Sequence, residues 1–207
     1  MRALAPLLLV AGLAACAPLP QGGPRTLSPE GEPFAFTPEE RRTFEELASH
    51  YPPERRKSTI LYALFMVQAR LGHLSAEGMR HVAEVIGCTP AEVEDVASYY
   101  AMFYKQPVGT HVVQVCRTLS CALRGAERVT EAIADHLKIQ TGETDASGTF
   151  TLLEVECLGA CDRAPVVMVN DGWHECLRPE DAVALLDAVK ARGETALSGC
   201  VHKVETK

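Results

Sequence analysis

The sequence predicts an α+β protein in which a small helical bundle precedes an α/β domain. Apolar residues recur at helical spacing through residues 37–106. The spacing becomes that of extended chain in residues 107–190, where a strand, a helix and a second strand follow one another. A chain of 207 residues is long enough for two small units of this kind. We expect residues 1–36 to be a signal-like or disordered extension and residues 191–207 to be a C-terminal tail.

Composition and charge narrow the possible classes of function. With 47% hydrophobic and 23% charged residues, the chain is typical of a soluble globular protein. Its formal net charge of −7 offers no basic face for phosphates, which disfavours nucleic acids and anionic lipids as partners and favours proteins. A helix pair over residues 75–100 also fits a DNA-binding helix-turn-helix. However, residues 75–103 hold five acidic side chains against one basic side chain, Arg80, and would repel DNA.

Four helices are predicted over residues 37–103. Two of them begin with a capping residue, a proline at the first helical position and a glutamate three residues after the cap, in residues 37–40 (TPEE) and 89–92 (TPAE). The prolines at 52–53 end the first helix. The second helix, over residues 60–71, is apolar around most of its circumference, so we expect it to lie in the centre of the bundle.

The α/β domain is predicted to open with a β-branched strand over residues 111–115 that runs directly into Cys116. A short loop then leads to Cys121 at the start of a helix. The core face of that helix follows amphipathic spacing and consists of Ala122, Ala126, Val129, Ile133 and Leu137.

A second strand, over residues 150–155, ends just before Cys157, and Cys161 lies one loop further on. A third strand over residues 166–169 turns back as a hairpin, and a last helix begins at Pro179. This order of elements describes a thioredoxin-like sheet with helices packed against it. Because such sheets commonly place a cis proline beside the active loop, we predict a cis peptide bond before Pro165.

Four cysteines form the candidate site. Cys116, Cys121, Cys157 and Cys161 fall just past the ends of two neighbouring parallel strands, where the loops of an open α/β sheet converge and ligands usually bind. A 2Fe-2S cluster takes two thiolates on each of its irons, and small loop residues let backbone N–H groups approach it. We therefore predict that these cysteines bind a 2Fe-2S cluster and that Arg117 adds positive charge beside it.

Three other interpretations of the four thiols remain open. Structural zinc also takes four thiolates, but the spacings here lie at the edge of its usual range. A thioredoxin-type dithiol needs Cys-x-x-Cys at a helix start, which this sequence lacks. Unrelated structural thiols prefer apolar interiors, whereas these cysteines lie in polar or small-residue loops. The description of an inert buried thiol suits Cys88 and Cys176, which fall in apolar stretches.

Motifs for independent catalysis are absent from the sequence. It contains no G-x-G-x-x-G, no phosphate-binding loop and no Ser/His/Asp arrangement, so we do not expect the chain alone to bind NADH or transfer hydride. Four aromatic residues near the end of the bundle are either an exposed docking patch or part of its core, and we expect the core. They are Tyr99, Tyr100, Phe103 and Tyr104.

Three segments resemble a known family: residues 115–121 (VCRTLSC), 155–161 (VECLGAC) and 164–170 (APVVMVN). The two cysteine pairs, C-x4-C and C-x3-C separated by 35 residues, are similar to those of thioredoxin-like 2Fe-2S ferredoxins. Within that family the chain closely resembles the 24 kDa subunit of NADH:quinone oxidoreductase, respiratory complex I. The resemblance extends over residues 36–190.

The resemblance implies that Cys116, Cys121, Cys157 and Cys161 are the ligands of one 2Fe-2S cluster in an electron-transfer subunit of NADH:quinone oxidoreductase. FMN and NADH would be bound by a partner flavoprotein subunit, beside which the cluster exchanges single electrons. The chain would thus be part of an enzyme, without a nucleotide or catalytic site of its own. The same motif fits a diaphorase-type subunit of a NAD-linked hydrogenase or formate dehydrogenase. A zinc-stabilised interaction module is a more distant alternative.

The N-terminal residues and the predicted cluster indicate different cellular locations. Residues 3–14 are an apolar run too short to span a bilayer, and residues 13–16 (LAAC) resemble the lipobox of a bacterial lipoprotein. Lipidation of Cys16 would place the chain outside the cytoplasm. Clusters are normally assembled where thiols stay reduced. We therefore expect a cytoplasmic location, at the face of the inner membrane through the complex, and interpret residues 1–33 as a misassigned start or an unstructured extension.

Overall fold

The computed structural model of the protein describes residue 31 and residues 33–193. It confirms the predicted α+β class. The helices are α1 (Pro38–Ala48), α2 (Ile60–Leu71), α3 (Ala76–Ile86), α4 (Pro90–Tyr99), α5 (Leu119–Leu123), α6 (Ala126–Leu137) and α7 (Pro179–Arg192). The strands are β1 (His111–Cys116), β2 (Phe150–Val155), β3 (Val167–Val169) and β4 (Gly172–His174), and short 3-10 helices occupy Pro53–Thr59 and Cys161–Arg163.

Helices α1 to α4 form a bundle in which α2 is central, as predicted. Ala63, Leu64 and Val67 of α2 have no exposed surface, and α2 contacts each of the other three helices. Helix α3 approaches closely at Gly78, where an added Cβ would lie 2.5 Å from Cγ1 of Val67. Both predicted capping boxes are present, at Thr37 and Thr89. Local capping chemistry therefore starts these helices, and burial of the α2 side chains holds them together.

Packing begins before the first predicted helix. Phe36 is 9% exposed and Phe34 is half-buried, and their rings contact each other and the ring of His81 on α3. Arg70 of α2 lies over the Phe34 ring and donates to the carbonyl of Ala35. Residues 34–36 were predicted to belong to the signal-like or disordered extension. They are instead packed, because the rings of Phe34 and Phe36 bury apolar surface on the bundle. The lipobox and Cys16 lie outside the described residues.

The second half of the chain is a four-stranded sheet in the order β2-β1-β3-β4. Strands β1 and β2 are parallel, from His111 opposite Phe150 to Cys116 opposite Val155, whereas β3 is antiparallel to both β1 and β4. All six residues of β1 are buried. Helices α6 and α7 pack on each other, and residues of both join β1, β2 and β3 in one apolar core. The strand-helix-strand crossover thus brings the ends of β1 and β2 to one edge.

The single helix predicted after Cys121 is two helices, α5 and α6. They are separated at Gly125, which has a φ of +91°. Ala122, assigned to the core face, is exposed, whereas Ala126 is 2% exposed. The amphipathic spacing is continuous in the sequence, but a glycine in the left-handed region redirects the chain, so the core face begins only at α6.

Three further predictions for the sheet domain concern its hairpin, its cis proline and its last helix. The hairpin of β3 and β4 is present, and the peptide bond between Ala164 and Pro165 is cis. Helix α7 begins at Pro179 as expected and continues to Arg192, two residues past the predicted boundary. Within the described residues, no helix is long and apolar enough to cross a membrane.

Tyr104 joins the bundle to the sheet. Its carbonyl accepts the N–H of Leu74 at 2.7 Å, and its hydroxyl accepts the side-chain amide of Gln114 at 3.2 Å. Buried residues form two separate apolar clusters, one within residues 36–103 and one within residues 113–189. We propose that these clusters are the cores of the two predicted units, 37–106 and 107–190.

Candidate metal centre

The elements bring the four predicted cysteines to one edge of the sheet. Cys116 is the last residue of β1, and Cys157 follows the end of β2 by two residues. Because β1 and β2 are parallel, both strands end on the same side. Cys121 lies in α5, and Cys161 begins the 3-10 helix that contacts α5.

The thiols are arranged as two neighbouring pairs. Sγ of Cys157 lies 3.2 Å from Sγ of Cys161, and the thiols of Cys116 and Cys121 are hydrogen-bonding neighbours. Thr118 acts on both pairs, because its hydroxyl lies 3.2 Å from Sγ of Cys116 and it also lowers the pKa of the Cys157 thiol. In the described part of the chain, no three His, Cys, Asp or Glu side chains form a ready site for a single metal ion.

The two pairs differ in exposure. Cys116 and Cys121 are 2% and 1% exposed and belong to the apolar core of the sheet domain. Cys157 and Cys161 are both exposed. A group held between the pairs would therefore have one protected side and one side open to solvent or to a partner protein.

The buried pair favours one thiolate. Burial raises the pKa of the Cys116 thiol, but hydrogen bonds from Thr118 and from the backbone N–H of Leu158 outweigh burial, so the net shift is downward. Burial and the neighbouring Cys116 raise the pKa of Cys121 to about 11. The first proton of this pair therefore leaves from Cys116.

In the exposed pair, too, the pKa of one thiol is lowered and that of the other is raised. The backbone N–H of Gly159, which points at Sγ of Cys157 from 3.4 Å, lowers the pKa of that thiol, and the Cys161 thiol adds to the effect. Hydrogen bonding to Cys157 and the charge of Cys157 raise the pKa of Cys161. A metal that binds both thiolates must displace the proton that remains on Cys161.

The loop after β2 is shaped for close approach. Gly159 has a φ of +87°, which residues with side chains rarely adopt, and nothing lies within 4 Å of an added Cβ there. Arg117, predicted to add positive charge, instead pairs with Glu156 at 2.9 Å, and both side chains are mostly exposed. Its charge is therefore partly balanced, and its influence on the site is weaker than predicted.

The donor set fits a 2Fe-2S cluster. Such a cluster takes two thiolates on each iron, and backbone N–H groups stabilise its sulfur atoms. The site offers two pairs of thiols, and the N–H groups of Leu158 and Gly159 already point at Cys116 and Cys157. Cys116, Cys121, Cys157 and Cys161 are the residues that would hold it.

Some features of this region did not follow from the sequence. Thr118 was not predicted, although a hydroxyl two residues after a ligand cysteine is a signal that could have found it. Leu119 and Leu123 of α5 are 74% and 78% exposed beside Cys121, which amphipathic spacing did not indicate. Cys88 and Cys176 were expected to be buried, but both are only half-buried.

The aromatic group near the end of the bundle divides between core and surface. Phe103 is 6% exposed, as the prediction of core packing requires, and Tyr100 and Tyr104 are half-buried. The prediction is wrong for Tyr99, which is 82% exposed. Tyr99 is the last residue of α4, and its ring contacts that of Tyr100 edge to face.

Comparisons with known proteins agree with this geometry. A model of the thioredoxin-like [2Fe-2S] ferredoxin family matches residues 44–190. The chain is 40% identical over 176 residues to NADH-quinone oxidoreductase subunit 2 of Thermus thermophilus, covering 83% of this chain and 97% of that protein. It is 38% identical over 155 residues to an NADH-quinone oxidoreductase subunit of Pseudomonas aeruginosa, covering 75% of this chain and 92% of that protein.

A solved structure shows that the fold also occurs in a larger protein. An NAD+-reducing [NiFe]-hydrogenase superposes on 65% of this chain with a TM-score of 0.57 and 20% identity. The matched region is 22% of that hydrogenase chain, and the similarity concerns the fold alone.

Proposed function

The chain belongs to the thioredoxin-like [2Fe-2S] ferredoxin family, and on this premise we propose that it is the electron-transfer subunit of an NADH:quinone oxidoreductase. In this proposal one 2Fe-2S cluster is held by Cys116, Cys121, Cys157 and Cys161. The observation that carries it is the meeting of the two cysteine pairs where the parallel strands β1 and β2 end.

Each part of the site has a separate task. A bound 2Fe-2S cluster exchanges one electron at a time. Cys116 and Cys121 would hold the cluster from the core, while Cys157 and Cys161 would hold it from the exposed side. Backbone N–H groups from the loop after β2 would offset negative charge on the cysteine sulfurs, which would favour a reduced state.

We propose that the outward side faces a flavoprotein subunit that binds FMN and NADH. Exposed leucines support protein contact here, since Leu119 and Leu123 present apolar surface beside the site. Electrons would pass between flavin and cluster across this contact, and the chain would lie at the cytoplasmic face of the membrane through the complex. Hydride chemistry would belong to the partner.

The alternative assembly is a NAD-linked hydrogenase or formate dehydrogenase with a diaphorase-type module. The hydrogenase similarity shows a shared fold, whereas the relatives at 38–40% identity are NADH-quinone oxidoreductase subunits, so we favour the latter. Identification of the proteins that co-purify with a tagged chain from its own host separates the two assemblies.

Metal analysis tests the cluster itself. Protein purified without oxygen should contain two irons and two acid-labile sulfides per chain, together with the visible absorption of a 2Fe-2S centre. Cys121→Ser should lose most of this absorption, whereas Cys176→Ser, which changes a half-buried thiol outside the site, should keep it. One zinc per chain without sulfide would replace this proposal by the zinc-stabilised module.

A further inference from the structure

The exposed cysteine pair, Cys157 and Cys161, holds its two sulfur atoms close together. Sγ of Cys157 and Sγ of Cys161 lie 3.2 Å apart, and a disulfide would shorten this to about 2.05 Å. The movement required is about 1 Å, within a loop of three intervening residues. Gly159, in the middle of that loop, has no heavy atom within 4 Å of the position that a Cβ would take.

Access separates this pair from the other one. A soluble disulfide reaches Cys157 and Cys161 directly, because both are exposed. Cys116 and Cys121 lie within the core, at 2% and 1% exposure, and are closed to it. Oxidation should therefore be selective for one half of the site.

We infer that, in the cluster-free chain, Cys157 and Cys161 are a site of reversible oxidation at which glutathione disulfide closes an intramolecular bond. The Cys157 thiolate attacks one sulfur of glutathione disulfide and releases glutathione thiolate. The Cys161 thiolate then attacks the Cys157 sulfur of the mixed disulfide and releases a second glutathione. The protein dithiol loses two electrons and two protons overall, and glutathione disulfide is reduced to two glutathiones.

The inferred disulfide would affect insertion of the cluster into the site. A disulfide takes both sulfurs of this pair away from metal binding, so iron enters only after a thiol reductant restores them. The oxidation depends on the geometry of the two thiols alone, while its effect on cluster insertion rests on the proposed function.

Mass spectrometry tests the oxidation. Full-length protein is stripped of metal by a chelator without oxygen, checked for folding by circular dichroism, exposed to glutathione disulfide and labelled with N-ethylmaleimide. Trypsin releases both thiols in one peptide, residues 139–163. We expect that peptide to lose two hydrogens and take no label, while Cys116 and Cys121 take label only after denaturation.

Two variants sharpen the result. Cys161→Ser should stop at a glutathione adduct on Cys157, because the second thiol is missing. Cys176→Ser should form the same bond as wild type. Full labelling of Cys157 and Cys161, a bond to Cys116 or Cys121, or equal reaction of all four thiols would overturn the inference.

A second measurement separates this inference from the proposed function. Oxidised chain given ferrous iron and sulfide should gain no cluster absorption until dithiothreitol is added. If the disulfide forms but the reduced chain gains no cluster either, the proposed function fails and the oxidation stands. If the oxidised chain takes up cluster as readily as the reduced chain, the inferred effect on loading is wrong.

Discussion

A single histidine secures the segment that leads into the bundle. Nε2 of His81 accepts the backbone N–H of Phe36 at 3.0 Å, and its ring meets the rings of Phe34 and Phe36 edge to face. Nε2 accepts only when it carries no proton. Protonation of His81 therefore breaks the hydrogen bond and places a charge among aromatic rings.

Stability should follow the protonation of His81. Burial lowers the pKa of His81 below its ordinary value of 6.5, and the charges that act on it are Glu84, Arg41, Arg70 and Glu40. Because the folded pKa lies below the unfolded one, the contribution is present above about pH 6.5 and is lost as the pH falls through the folded pKa. Urea unfolding of wild type and His81→Gln between pH 7.5 and 5 checks this. The wild type should lose more stability than the variant, and parallel curves would contradict it.

Gly109 is a second single residue on which stability depends, because its surroundings leave no room for a side chain. A Cβ on Gly109 would lie 2.9 Å from the backbone N of Phe150 and from the backbone C and O of Thr149. We expect Gly109→Ala to destabilise the protein by about 1–3 kcal/mol, because backbone atoms at the junction into β2 cannot yield as a side chain does. Thr110→Ala, at the exposed neighbouring position, is the control and should change stability by less than about 0.5 kcal/mol. Equal urea midpoints for the two variants would contradict this.

At the scale of elements, capping decides where α4 begins. Thr89 Oγ1 accepts the N–H of Glu92 at 3.3 Å, and the Glu92 carboxylate accepts the N–H of Thr89 at 2.9 Å. Lys57 also binds Glu92, and with Thr89 it lowers the pKa of that carboxyl to about 2. The start of α4 thus satisfies two backbone donors that would otherwise be without a partner.

Removal of this cap should weaken the bundle. Thr89→Ala is expected to cost about 1 kcal/mol in the free energy of unfolding, whereas Thr89→Ser keeps the hydroxyl and should cost less. Urea denaturation followed by circular dichroism measures the difference. Equal losses in the two variants would show that the hydroxyl is not what stabilises α4.

At the scale of the whole molecule, α5 carries the exposed apolar surface on which we propose that a partner docks. Its leucines are exposed beside Cys121, although the helix is fixed to the core through that cysteine. In a complex, apolar side chains that surround a redox site lose water when the partner docks, which stabilises the contact. Alone, they contribute little to the stability of this chain.

The docking contact can be tested separately from the cluster. The double variant Leu119→Gln, Leu123→Gln should keep wild-type iron, sulfide and unfolding midpoint, but should reduce the flavin that co-purifies with a tagged chain several-fold. Tyr51→Gln, at a site 41% exposed in the bundle, is the matched control. Unchanged flavin recovery in the leucine variant would place the partner elsewhere.

Much of the fold was determined by local chemistry that the sequence alone displays. Capping boxes at Thr37 and Thr89 and the β-branched run of β1 set their own elements, because each depends on residues that are neighbours along the chain. The spacing of Cys116, Cys121, Cys157 and Cys161, read together with the family resemblance, likewise indicated a metal site.

Tertiary structure decided what depends on residues distant in sequence. Only the parallel pairing of β1 with β2 brings the two cysteine pairs together, and only the packed fold buries one pair and exposes the other. The contact of Phe36 with His81 is a further example. In each case the stabilising free energy comes from contacts that form when separate elements pack. The periodicity of one element does not show which other elements it packs against.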